Sequence, residues 1–509
     1  MKGVALIGMP GSGKTTIGKL LSKHLGWKFI DIDEEIQKSA ELSISEIFSQ
    51  YGEAHFRTLE KETLLKHIGE NRVISTGGGI VIDKDNRKLL SERMQTFYLK
   101  TPLGALFNRL KDKRDRPLLA GDLLQRLKGL YANRRALYES LGHTVNTRGL
   151  STEEVAAVIV RHIDTGETPT SIASSVHPIT VGKVSLSNFE NHPVVTTKKV
   201  WHIYKGFIPS KRLYIAADGE AAKEIKSLEG IFHSLIQWKV ERTDNIVAIG
   251  GGALTDAVGF AAATFKRGCK LTNIPTTLLG QVDAAIGGKN AINMAGIKNA
   301  VGTFKFPEEV LIDPTFTLSL PYERFAEGIV EGLKMGLVAS SNLYEFTKAE
   351  MQQLKARQIR TLKEFVQMSA ETKLRVVEKD PYDAGERMIL NFGHTVGHAI
   401  ESTYSISHGS AVAIGMIYSV VASRQLGISK LKPATQEEII ETIKGIGILP
   451  QIKIEPNAIR ERLLQDKKIR DGKLRFVFLK DIGNPAVISV SPEQIKSILE
   501  VDIGEVLSR

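Results

Sequence analysis

Eight residues near the start of the chain have the types and the spacing that bind nucleotide phosphates. The segment GMPGSGKT at residues 8–15 follows a short apolar run and precedes a helix-like stretch. In this pattern the backbone N–H groups surround the phosphates, the lysine reaches the β- and γ-phosphates, and the threonine hydroxyl ligates Mg²⁺. We therefore expect an ATP-dependent kinase of the P-loop type. The residues expected to bind ATP with Mg²⁺ are Gly11, Ser12, Gly13, Lys14, Thr15 and Thr16.

Carboxylates and a guanidinium follow at positions that suit a small polar substrate. Asp31 and Asp33 end a predicted strand, and ligands bind at the carboxyl ends of parallel strands. One carboxylate could belong to the Mg²⁺ environment and the other could accept a hydrogen bond from a substrate hydroxyl, although a helix N-cap is an equal alternative. Arg57 lies one helical turn before Glu60, a spacing that by itself favours a surface salt bridge. The glycine triple at 77–79 lets the backbone approach a ligand closely.

Histidines are concentrated in one stretch of the second half. Three of the 12 histidines fall between positions 394 and 408. His394 and His398 share one helix face, a spacing for joint metal or substrate contact, although a polar helix face is the commoner explanation of such a pair. With His408, with Glu331 in a helical context and with a single cysteine in the chain, a His/His/Glu site for a divalent metal is favoured. Such a site with open positions suits Lewis-acid catalysis.

Glycine, lysine, threonine and asparagine are dense between residues 250 and 299. Gly250, Gly251 and Gly252 follow an apolar run and precede Asp256. A glycine triplet after a strand is a weak signal for a dinucleotide, and a tight turn is an equal alternative. The polar segments that follow are PTTLL at 275–279, QVD at 281–283, GGK at 287–289 and the Lys298–Asn299 pair. A core has no need of so many polar residues, so these segments indicate a binding site.

The elements of the first half alternate between strands and helices. Amphipathic stretches separate apolar runs, and this alternation predicts a parallel sheet with helices over residues 1–163. The apolar runs lie at residues 4–7, 29–32, 73–75 and 96–99. Ser151 and Glu154 have the spacing of a capping pair, so we expect a closing helix over residues 151–163.

The second half resumes after a polar, turn-rich segment at 164–178, which predicts a linker. Strand candidates then predict an α/β part at 179–320, and long helical periodicity predicts a mostly helical part at 321–509. The strand candidates are residues 179–181, 213–216 and 246–249, and the helical stretches include 344–354, 363–377 and 411–426.

The bulk composition excludes several classes of protein. At 509 residues the chain is too long for one ordinary core and favours two or three domains. The single cysteine, Cys269, excludes a disulfide framework, and no apolar stretch approaches the roughly 18 residues of a membrane span. The formal net charge of +11 comes from scattered Lys and Arg, so we expect anionic small-molecule substrates, no nucleic acid and no membrane partner. Nothing at the N-terminus reads as a signal peptide, so a cytoplasmic enzyme is expected.

The motifs of residues 1–163 resemble, in type and order, those of the shikimate kinases. They are the P-loop, D-x-D at 31–33, F-R-x-x-E at 56–60, the glycine triple at 77–79, R-P-L-L at 116–119 and R-x-x-x-Y at 134–138. The resemblance implies that shikimate is bound by Asp33, Arg57, the backbone of Gly78, and Arg134. Two arginines suit one carboxylate, because guanidinium forks bind it bidentately.

The same resemblance implies the catalytic roles of the first half. Thr15 and Asp31 would lie in the Mg²⁺ environment, and Lys14 and Asp33 would act beside the reacting groups. Arg116 would lie on a mobile lid and stabilise charge on the transferring phosphoryl group. The chain has Gly142 where the family usually has alanine, a departure that concerns helix packing only.

Residues 179–509 resemble the 3-dehydroquinate synthases. The matching motifs are D-G-E at 218–220 with Lys223, the glycine triplet with Asp256, G-F at 259–260, K-R-G at 266–268, PTTLL at 275–279, Q-V-D-x-x-x-G-G-K at 281–289, Glu331 with Lys334, Lys373, Arg387, L-N-F-G-H-T-x-G-H at 390–398, H-G at 408–409 and D-K-K at 466–468. The chain departs from the family at Ala284-Ala285 and at Val330, which concerns local hydrogen bonds and leaves the charged set intact.

The second resemblance implies three groups of binding residues. Zinc or cobalt would be held by Glu331, His394 and His408. NAD would be bound by Asp218, Gly219, Glu220, Lys223, Gly250, Gly251, Gly252, Asp256, Thr276, Thr277, Lys289 and Lys298. An acyclic phosphorylated sugar acid would be gripped by Arg267, Asp283, Lys289, Asn299, Lys334, Lys373, Arg387, Asn391 and one of Lys467 or Lys468. The residues implied in catalysis are Arg267, Lys289, Lys334 and His398.

Together the two halves predict a bifunctional enzyme, with the kinase first and the synthase second. The synthase half would oxidise and later re-reduce its substrate, eliminate phosphate and close a carbocycle, so that NAD is recycled. A kinase fused to a metal-dependent polyol dehydrogenase is the nearest alternative, and a nucleotide-gated regulatory module in the first half is another. A homodimer through the second half stays open at this point, as does the choice between zinc and cobalt.

Overall fold

The computed structural model describes residues 2–112, 122–163, 168–464 and 474–500. The chain separates into two compact units, Met1–Glu167 with Ala356–Ile359 and Thr168–Lys355 with Arg360–Arg509. Within the described ranges, no helix combines the length and the apolar character that crossing a membrane requires.

The first unit is built on a parallel sheet covered by helices. Its strands are β1 (Gly3–Ile7), β2 (Lys28–Asp31), β3 (Arg72–Ser75), β4 (Met94–Lys100) and β5 (His143–Asn146). They lie in the order β2-β3-β1-β4-β5, and every pair is parallel. The helices are α1 (Lys14–Leu25), α2 (Ile32–Ala40), α3 (Ile44–His67), α4 (Lys84–Arg93), α5 (Leu103–Leu110), α6 (Leu123–Glu139) and α7 (Thr152–His162).

Local sequence explains where these elements begin and end. All residues of β1 are buried, as a central strand with helices on both faces requires. Helix α1 starts after Gly13 (φ 95°) and stops at Gly26 (φ 68°), two left-handed positions that favour glycine. The predicted closing helix is confirmed: Ser151 and Glu154 form a reciprocal capping box at the start of α7.

The second unit contains a larger sheet and two separate hairpins. Its strands are β6 (Thr170–Ile172), β7 (Ile179–Val181), β8 (Val194–Thr197), β9 (Leu213–Ala216), β10 (Asn245–Gly250), β11 (Lys270–Pro275), β12 (Lys289–Met294), β13 (Ile297–Phe304), β14 (Glu309–Ile312), β15 (Leu474–Asp481) and β16 (Asn484–Val490). The sheet has the order β6-β7-β14-β11-β10-β8-β9, parallel except for β6. Strands β12 and β13 form one antiparallel hairpin, and β15 and β16 form the other.

Helices dominate the later part of the second unit, as predicted. Those that accompany the sheet are α8 (Lys198–Tyr204), α9 (Ile225–Gln237) and α10 (Gly252–Thr264). Those that follow it are α11 (Tyr322–Ala339), α12 (Ser341–Ala349), α13 (Met351–Lys355), α14 (Ile359–Lys379), α15 (His394–Tyr404), α16 (His408–Gln425), α17 (Pro433–Gly445), α18 (Pro456–Leu464) and α19 (Pro492–Leu499). The hairpin β15–β16 is a strand element within the part that the sequence predicts to be mostly helical.

The segment at 164–178 contains ordered structure that its composition did not indicate. Thr170–Ile172 forms β6, an edge strand in which Thr170 lies opposite Val181 of β7. His177 is buried, with 2% of its surface exposed. A three-residue strand carries too little apolar alternation to be recognised, and polar turn-forming residues surround it.

Residues expected to bind a dinucleotide follow the carboxyl ends of neighbouring strands. The triplet 250–252 follows β10, Thr276 and Thr277 follow β11, and Asp218 lies just beyond β9. Because β11, β10, β8 and β9 are parallel neighbours, these ends lie along one edge of the sheet. The fold therefore collects them where parallel sheets bind ligands.

Candidate active sites

The P-loop of the first unit holds its lysine against its own backbone. Gly11 and Gly13 have φ angles of 79° and 95°, which residues with side chains rarely adopt. Around this turn the Nζ of Lys14 donates to the carbonyl oxygens of Gly8 and Met9 at 2.9 and 3.2 Å. Helix α1 begins at Lys14, so the N–H groups of its first turn can bind an anion.

Thr15 and Asp31 meet where a magnesium ion would be expected. The Oγ1 of Thr15 donates to Oδ2 of Asp31 at 2.7 Å and lies 3.4 Å from the hydroxyl of Ser75. The other oxygen of Asp31 caps α2 by accepting from the N–H of Asp33 at 3.1 Å. The N-cap and the Mg²⁺ environment are therefore compatible, because they use different oxygens of one carboxylate. Of the remaining loop residues, Ser12 is buried and Thr16 is exposed.

The glycine triple lies against the side chains expected to face a substrate. A Cβ on Gly77 would overlap the carboxylate of Glu60, and one on Gly79 would overlap the guanidinium of Arg57. The same hypothetical Cβ on Gly77 would lie 2.9 Å from Oδ1 of Asp33. Glycine is therefore required here by the close approach of the protein's own side chains, whereas the sequence predicts the close approach of a ligand.

A second arginine reaches the same triple from α6. Arg134 donates to the carbonyl oxygen of Gly78 at 3.0 Å, and the hydroxyl of Tyr138 donates to the same oxygen at 2.5 Å. Arg57 and Arg134 thus approach adjacent glycines from two different helices. Two guanidinium groups at one place favour an anion such as a carboxylate.

The ion pair between Arg57 and Glu60 is not on the surface. Nη1 of Arg57 donates to Oε2 of Glu60 at 2.7 Å, and Glu60 has 0% of its surface exposed. Burial raises the pKa of the Glu60 carboxyl to about 7, although Arg57 acts in the opposite direction. Glu60 therefore holds Arg57 from the buried side, while Nη2 of Arg57 donates to the exposed Glu53 at 2.9 Å. Arg116 lies outside the described residues.

Tight turns in the second unit leave room only for glycine. A Cβ on Gly252 would lie 2.8 Å from the Cβ of Ala284, and one on Gly251 would lie 3.0 Å from Cγ2 of Thr277. Helix α10 begins at Gly252, so its first N–H groups are directed at the carboxyl edge of the sheet. Asp218 accepts from the N–H of Lys199 at 2.8 Å along the same edge.

The buried Lys223 is the centre of a polar network. Its Nζ donates to Oδ2 of Asp256 at 2.7 Å and also to Oδ1 of Asn299. Burial raises the pKa of the Asp256 carboxyl to about 6 against the opposing charge of Lys223. Asn293 extends the network by donating to Glu220 at 3.0 Å and accepting from the N–H of Asn299 at 2.9 Å. The network joins the turn after β9, helix α10 and the β12–β13 hairpin.

Cationic side chains converge beside Asp283. Lys373 pairs with the Asp283 carboxylate and donates to its backbone carbonyl at 2.5 Å. Burial lowers the pKa of the Lys373 ammonium to about 8, with Asp283 acting in the opposite direction. Arg387 is also buried and donates to the carbonyl oxygen of Gly287 at 2.9 Å. These are groups that could bind an anionic substrate.

Three potential metal ligands meet between α11, α15 and α16. The Nε2 atoms of His394 and His408 lie 3.5 and 3.6 Å from Oε1 of Glu331. The three ligand atoms lie within 4.8 Å of one another. Both oxygens of Glu331 are buried; Oε2 is paired with the ammonium of the buried Lys334, and Oε1 faces the two histidines. Two imidazoles and one buried carboxylate form a donor set that fits Zn²⁺ or Co²⁺.

The electrostatics of this group favour a cation. Burial lowers the pKa of His394 to about 3, so its ring is neutral at physiological pH. Burial also acts to lower the pKa of His408, but hydrogen bonds to Glu331 and Glu401 raise it to about 10. Burial would raise the pKa of Glu331, yet the buried Lys334 and the histidines hold it well below its usual range. A metal ion would replace the proton that His408 otherwise holds.

Other residues expected at the site lie at its edge. His398 is exposed, with its ring centroid 5.2 Å from that of His394. Lys289 and Lys298 are exposed and pair with Asp383 and Glu401. Arg267 (φ 66°) and Asn391 are exposed, and within the described ranges neither is hydrogen bonded to another residue of the expected set. Lys467 and Lys468 lie outside the described residues.

His177 is a buried contact that sequence reasoning missed. Its Nε2 accepts from the N–H of Gly287 at 3.2 Å, while Arg387 donates to the carbonyl of the same glycine. Gly287 (φ 96°) is thus held from both sides, just before Lys289. Burial lowers the pKa of His177 to about 4, which keeps the accepting nitrogen free of a proton. An isolated histidine before a proline carried no signal for this role.

Comparison with known proteins covers both halves of the chain. Family models match at residues 10–164 (shikimate kinase), 213–327 (3-dehydroquinate synthase N-terminal) and 328–469 (3-dehydroquinate synthase C-terminal). The bifunctional shikimate kinase/3-dehydroquinate synthase of Thermotoga maritima is 39% identical over 504 residues, which cover 98% of this chain and 100% of that protein.

Solved structures share the fold of the second half. A 2-deoxy-scyllo-inosose synthase complexed with carbaglucose-6-phosphate, NAD⁺ and Co²⁺ has a TM-score of 0.57 at 24% identity, over 65% of this chain and 99% of that chain. A 2-epi-5-epi-valiolone synthase from Streptomyces hygroscopicus with NAD⁺ and Zn²⁺ bound has a TM-score of 0.58 at 23% identity, over 67% and 99%. The predicted fold class, both resemblances and the pairing of two enzymes are confirmed. The chain belongs to the family of bifunctional shikimate kinase/3-dehydroquinate synthases.

Proposed function

We propose that the first unit transfers the γ-phosphoryl group of ATP to the 3-hydroxyl of shikimate. The observation that carries this proposal is the approach of Arg57 and Arg134 to adjacent glycines beside Asp33. A substrate with a carboxylate and several hydroxyls would pair with both guanidinium groups and donate a hydrogen bond to the aspartate. The P-loop supplies the nucleotide side of the same reaction.

Each residue of the first unit then has a distinct task. Lys14 neutralises charge on the β- and γ-phosphates, and the first N–H groups of α1 hold them in place. Mg²⁺, when bound beside Thr15 and Asp31, supplies further neutralisation. Asp33 orients the substrate hydroxyl, and Arg116 closes over the phosphoryl group as the resemblance implies.

For the second unit we propose conversion of 3-deoxy-D-arabino-heptulosonate 7-phosphate to 3-dehydroquinate with release of phosphate. The observation that carries this proposal is the Glu331, His394 and His408 set beside the buried Lys334. A bound zinc or cobalt ion supplies a Lewis acid, and bound NAD accepts and returns one hydride. We propose that these three residues hold the metal.

The remaining residues bind and orient the two organic molecules. We propose that NAD is bound by Asp218, Gly219, Glu220, Lys223, Gly250, Gly251, Gly252, Asp256, Thr276, Thr277, Lys289 and Lys298. The substrate is bound by Arg267, Asp283, Lys289, Asn299, Lys334, Lys373, Arg387, Asn391 and Lys467. Cations are numerous because the substrate carries both a carboxylate and a phosphate. His398 is exposed next to the ligand set and can move a proton at the substrate.

The same proposal assigns parts of the chain to the two reactions. We divide it into a kinase domain at 1–163, a connecting segment at 164–178, an NAD-binding part at 179–320 and a metal- and substrate-binding part at 321–509. The partners are small molecules, namely the two substrates and their cofactors.

Both reactions can be tested on one preparation of the full chain. ADP formation that depends on shikimate and phosphate release that depends on NAD and zinc or cobalt are the expected results. Lys14→Met should abolish the first and spare the second, and His394→Ala should do the reverse, so each variant is the control for the other. ATP turnover without shikimate dependence would support a regulatory module instead. Absence of phosphate release would leave a polyol dehydrogenase as the better description of the second half.

A further inference from the structure

Glu401 joins a proposed metal ligand to the β12–β13 hairpin. It lies on α15, and its Oε2 is 3.1 Å from Nδ1 of His408. Its other oxygen, Oε1, is 3.2 Å from Nζ of Lys298 on β13. Neither the residue types nor the resemblance pointed to Glu401.

The position of His408 explains why its ring needs a second contact to stay in one orientation. His408 is the first residue of α16, and its side chain is 28% exposed, against 13% for His394 and 1% for Glu331. A half-buried ring on the first residue of a helix can rotate unless a second contact holds it. His394 has the corresponding contact already, because its Nδ1 lies 3.2 Å from the carbonyl oxygen of Phe392.

We propose that Glu401 is a positioning residue for the metal site: its carboxylate holds His408 so that Nε2 faces Glu331, and Lys298 in turn holds Glu401. The inference rests on the proposed metal site. A carboxylate that accepts from Nδ1–H fixes the tautomer in which Nε2 carries the lone pair, and it increases the basicity of the ring. Lys298 thereby links the hairpin that is expected to contact NAD with the metal ligands.

A competing arrangement is visible at the same place. His398, Glu401 and His408 also offer ligand atoms that lie within 4.8 Å of one another. Glu401 could therefore ligate a second cation through a different nitrogen of His408. The two arrangements differ in stoichiometry, since a positioning residue supports one ion per chain and a ligand of a second site implies two.

Titration of the metal-free full-length protein with Co²⁺, followed by visible absorption, separates these cases. For Glu401→Ala we expect one Co²⁺ per chain, an altered absorption band and an affinity lower by about 10- to 100-fold. Glu401→Gln keeps a hydrogen-bond acceptor without the charge, so its Co²⁺ affinity should lie between those of Glu401→Ala and the parent. Lys298→Gln should weaken Co²⁺ binding less than Glu401→Ala, because it removes only the support of the carboxylate. The matched control is Glu229→Gln, which removes an exposed carboxylate 3.8 Å from His233.

Four results are decisive. Parent-like Co²⁺ affinity and spectrum in both Glu401 variants would overturn the positioning role while leaving the metal site intact. Binding of two Co²⁺ per chain by the parent, with one of them lost in Glu401→Ala, would show that Glu401 is a metal ligand and would also overturn the positioning role. A parent protein that binds no Co²⁺ would overturn the proposed metal site together with this inference. Circular dichroism shows whether Glu401→Ala folds. If it does not fold, the test rests on the isosteric Glu401→Gln, and a parent-like Co²⁺ affinity of that variant would overturn the positioning role.

Discussion

Charged side chains in the kinase site are fixed from within the protein before any ligand arrives. Arg57 is paired with the fully buried Glu60 at 2.7 Å, and Arg134 is bonded to the carbonyl of Gly78 at 3.0 Å. Because the two guanidinium groups are already oriented, a carboxylate ligand loses little side-chain freedom by binding them. The individual arginines should therefore contribute strongly to substrate affinity.

Arg57→Ala should raise the KM for shikimate by about 10- to 100-fold, because a charge-assisted hydrogen bond contributes about 1.5–3 kcal/mol. The KM for ATP should stay close to its parent value. The measurement is steady-state ADP formation at varied shikimate and at varied ATP. Arg135→Ala is the matched control, since the exposed Arg135 lies on the same helix as Arg134 and contacts Glu139 at 3.1 Å and the ring of Tyr131 on that helix. If Arg57→Ala leaves the KM for shikimate unchanged, Arg57 does not bind shikimate.

The buried His177 makes the second unit sensitive to acid. Its folded pKa of about 4 lies below the ordinary value of 6.5, so its contribution to stability is complete above pH 6.5 and is lost as the pH falls towards 4. Between these limits the loss amounts to about 3 kcal/mol. His177→Gln should therefore unfold in urea with a weaker pH dependence than the parent between pH 7 and 4.5. The exposed His233→Gln serves as control, and equal pH dependence in parent and His177→Gln would refute the assignment.

At the scale of elements, the contact between α15 and α16 brings the two histidine ligands together. A Cβ on Gly415 would overlap the carbonyl oxygen of Gly393, and one on Gly397 would lie 3.0 Å from the carbonyl oxygen of Ala411. The two helices can approach this closely only because both positions are glycine. His394 begins one helix and His408 begins the other.

Gly415→Ala should therefore push the helices apart and weaken the metal site from a distance. We expect a loss of about 1–3 kcal/mol in the free energy of unfolding, as for overpacked cores, and a lower affinity for Co²⁺. Thermal unfolding and Co²⁺ titration measure the two effects. Gly206→Ala is the control, because a Cβ there meets nothing within 4 Å. Parent-like Co²⁺ affinity in Gly415→Ala would show that the close helix contact does not determine the ligand geometry.

The sequence predicted the structure correctly where the interacting residues of a motif are close together in the chain. The left-handed glycines of the P-loop and the start of α1 at Lys14 lie where the local pattern indicated, because they depend on neighbours a few residues away. It failed where the partner is distant in the chain. The bond of His177 to Gly287 and that of Glu401 to Lys298 each join residues about a hundred positions apart. No periodicity records such pairs, since they follow from how elements pack.

At the scale of the whole molecule, one chain combines two sites whose side chains suit different metal ions. The first site offers hydroxyl and carboxylate oxygens at Thr15 and Asp31, which suit Mg²⁺. The second offers two imidazoles with one carboxylate, which suit zinc or cobalt. The two reactions should therefore respond differently to one reagent.

A nitrogen-donor chelator such as 1,10-phenanthroline, added in excess Mg²⁺, should abolish phosphate release by the synthase and leave shikimate-dependent ADP formation intact. Added Zn²⁺ or Co²⁺ should restore the lost activity. Both assays are run on the same treated sample, so the kinase is the internal control. Parallel loss of both activities, or a synthase that resists the chelator after prolonged dialysis, would contradict the assignment of separate metals.

The hydrogen bonds of Lys14 to the carbonyl oxygens of Gly8 and Met9 affect which nucleotides the loop can bind tightly. A ligand that recruits the ammonium must replace these carbonyl acceptors with better ones, and a phosphate chain that reaches the lysine can do so. Adenosine or AMP would leave the lysine where it is and gain nothing from its charge. We therefore expect the loop to discriminate by the length of the phosphate chain, through an exchange of the acceptors of Lys14.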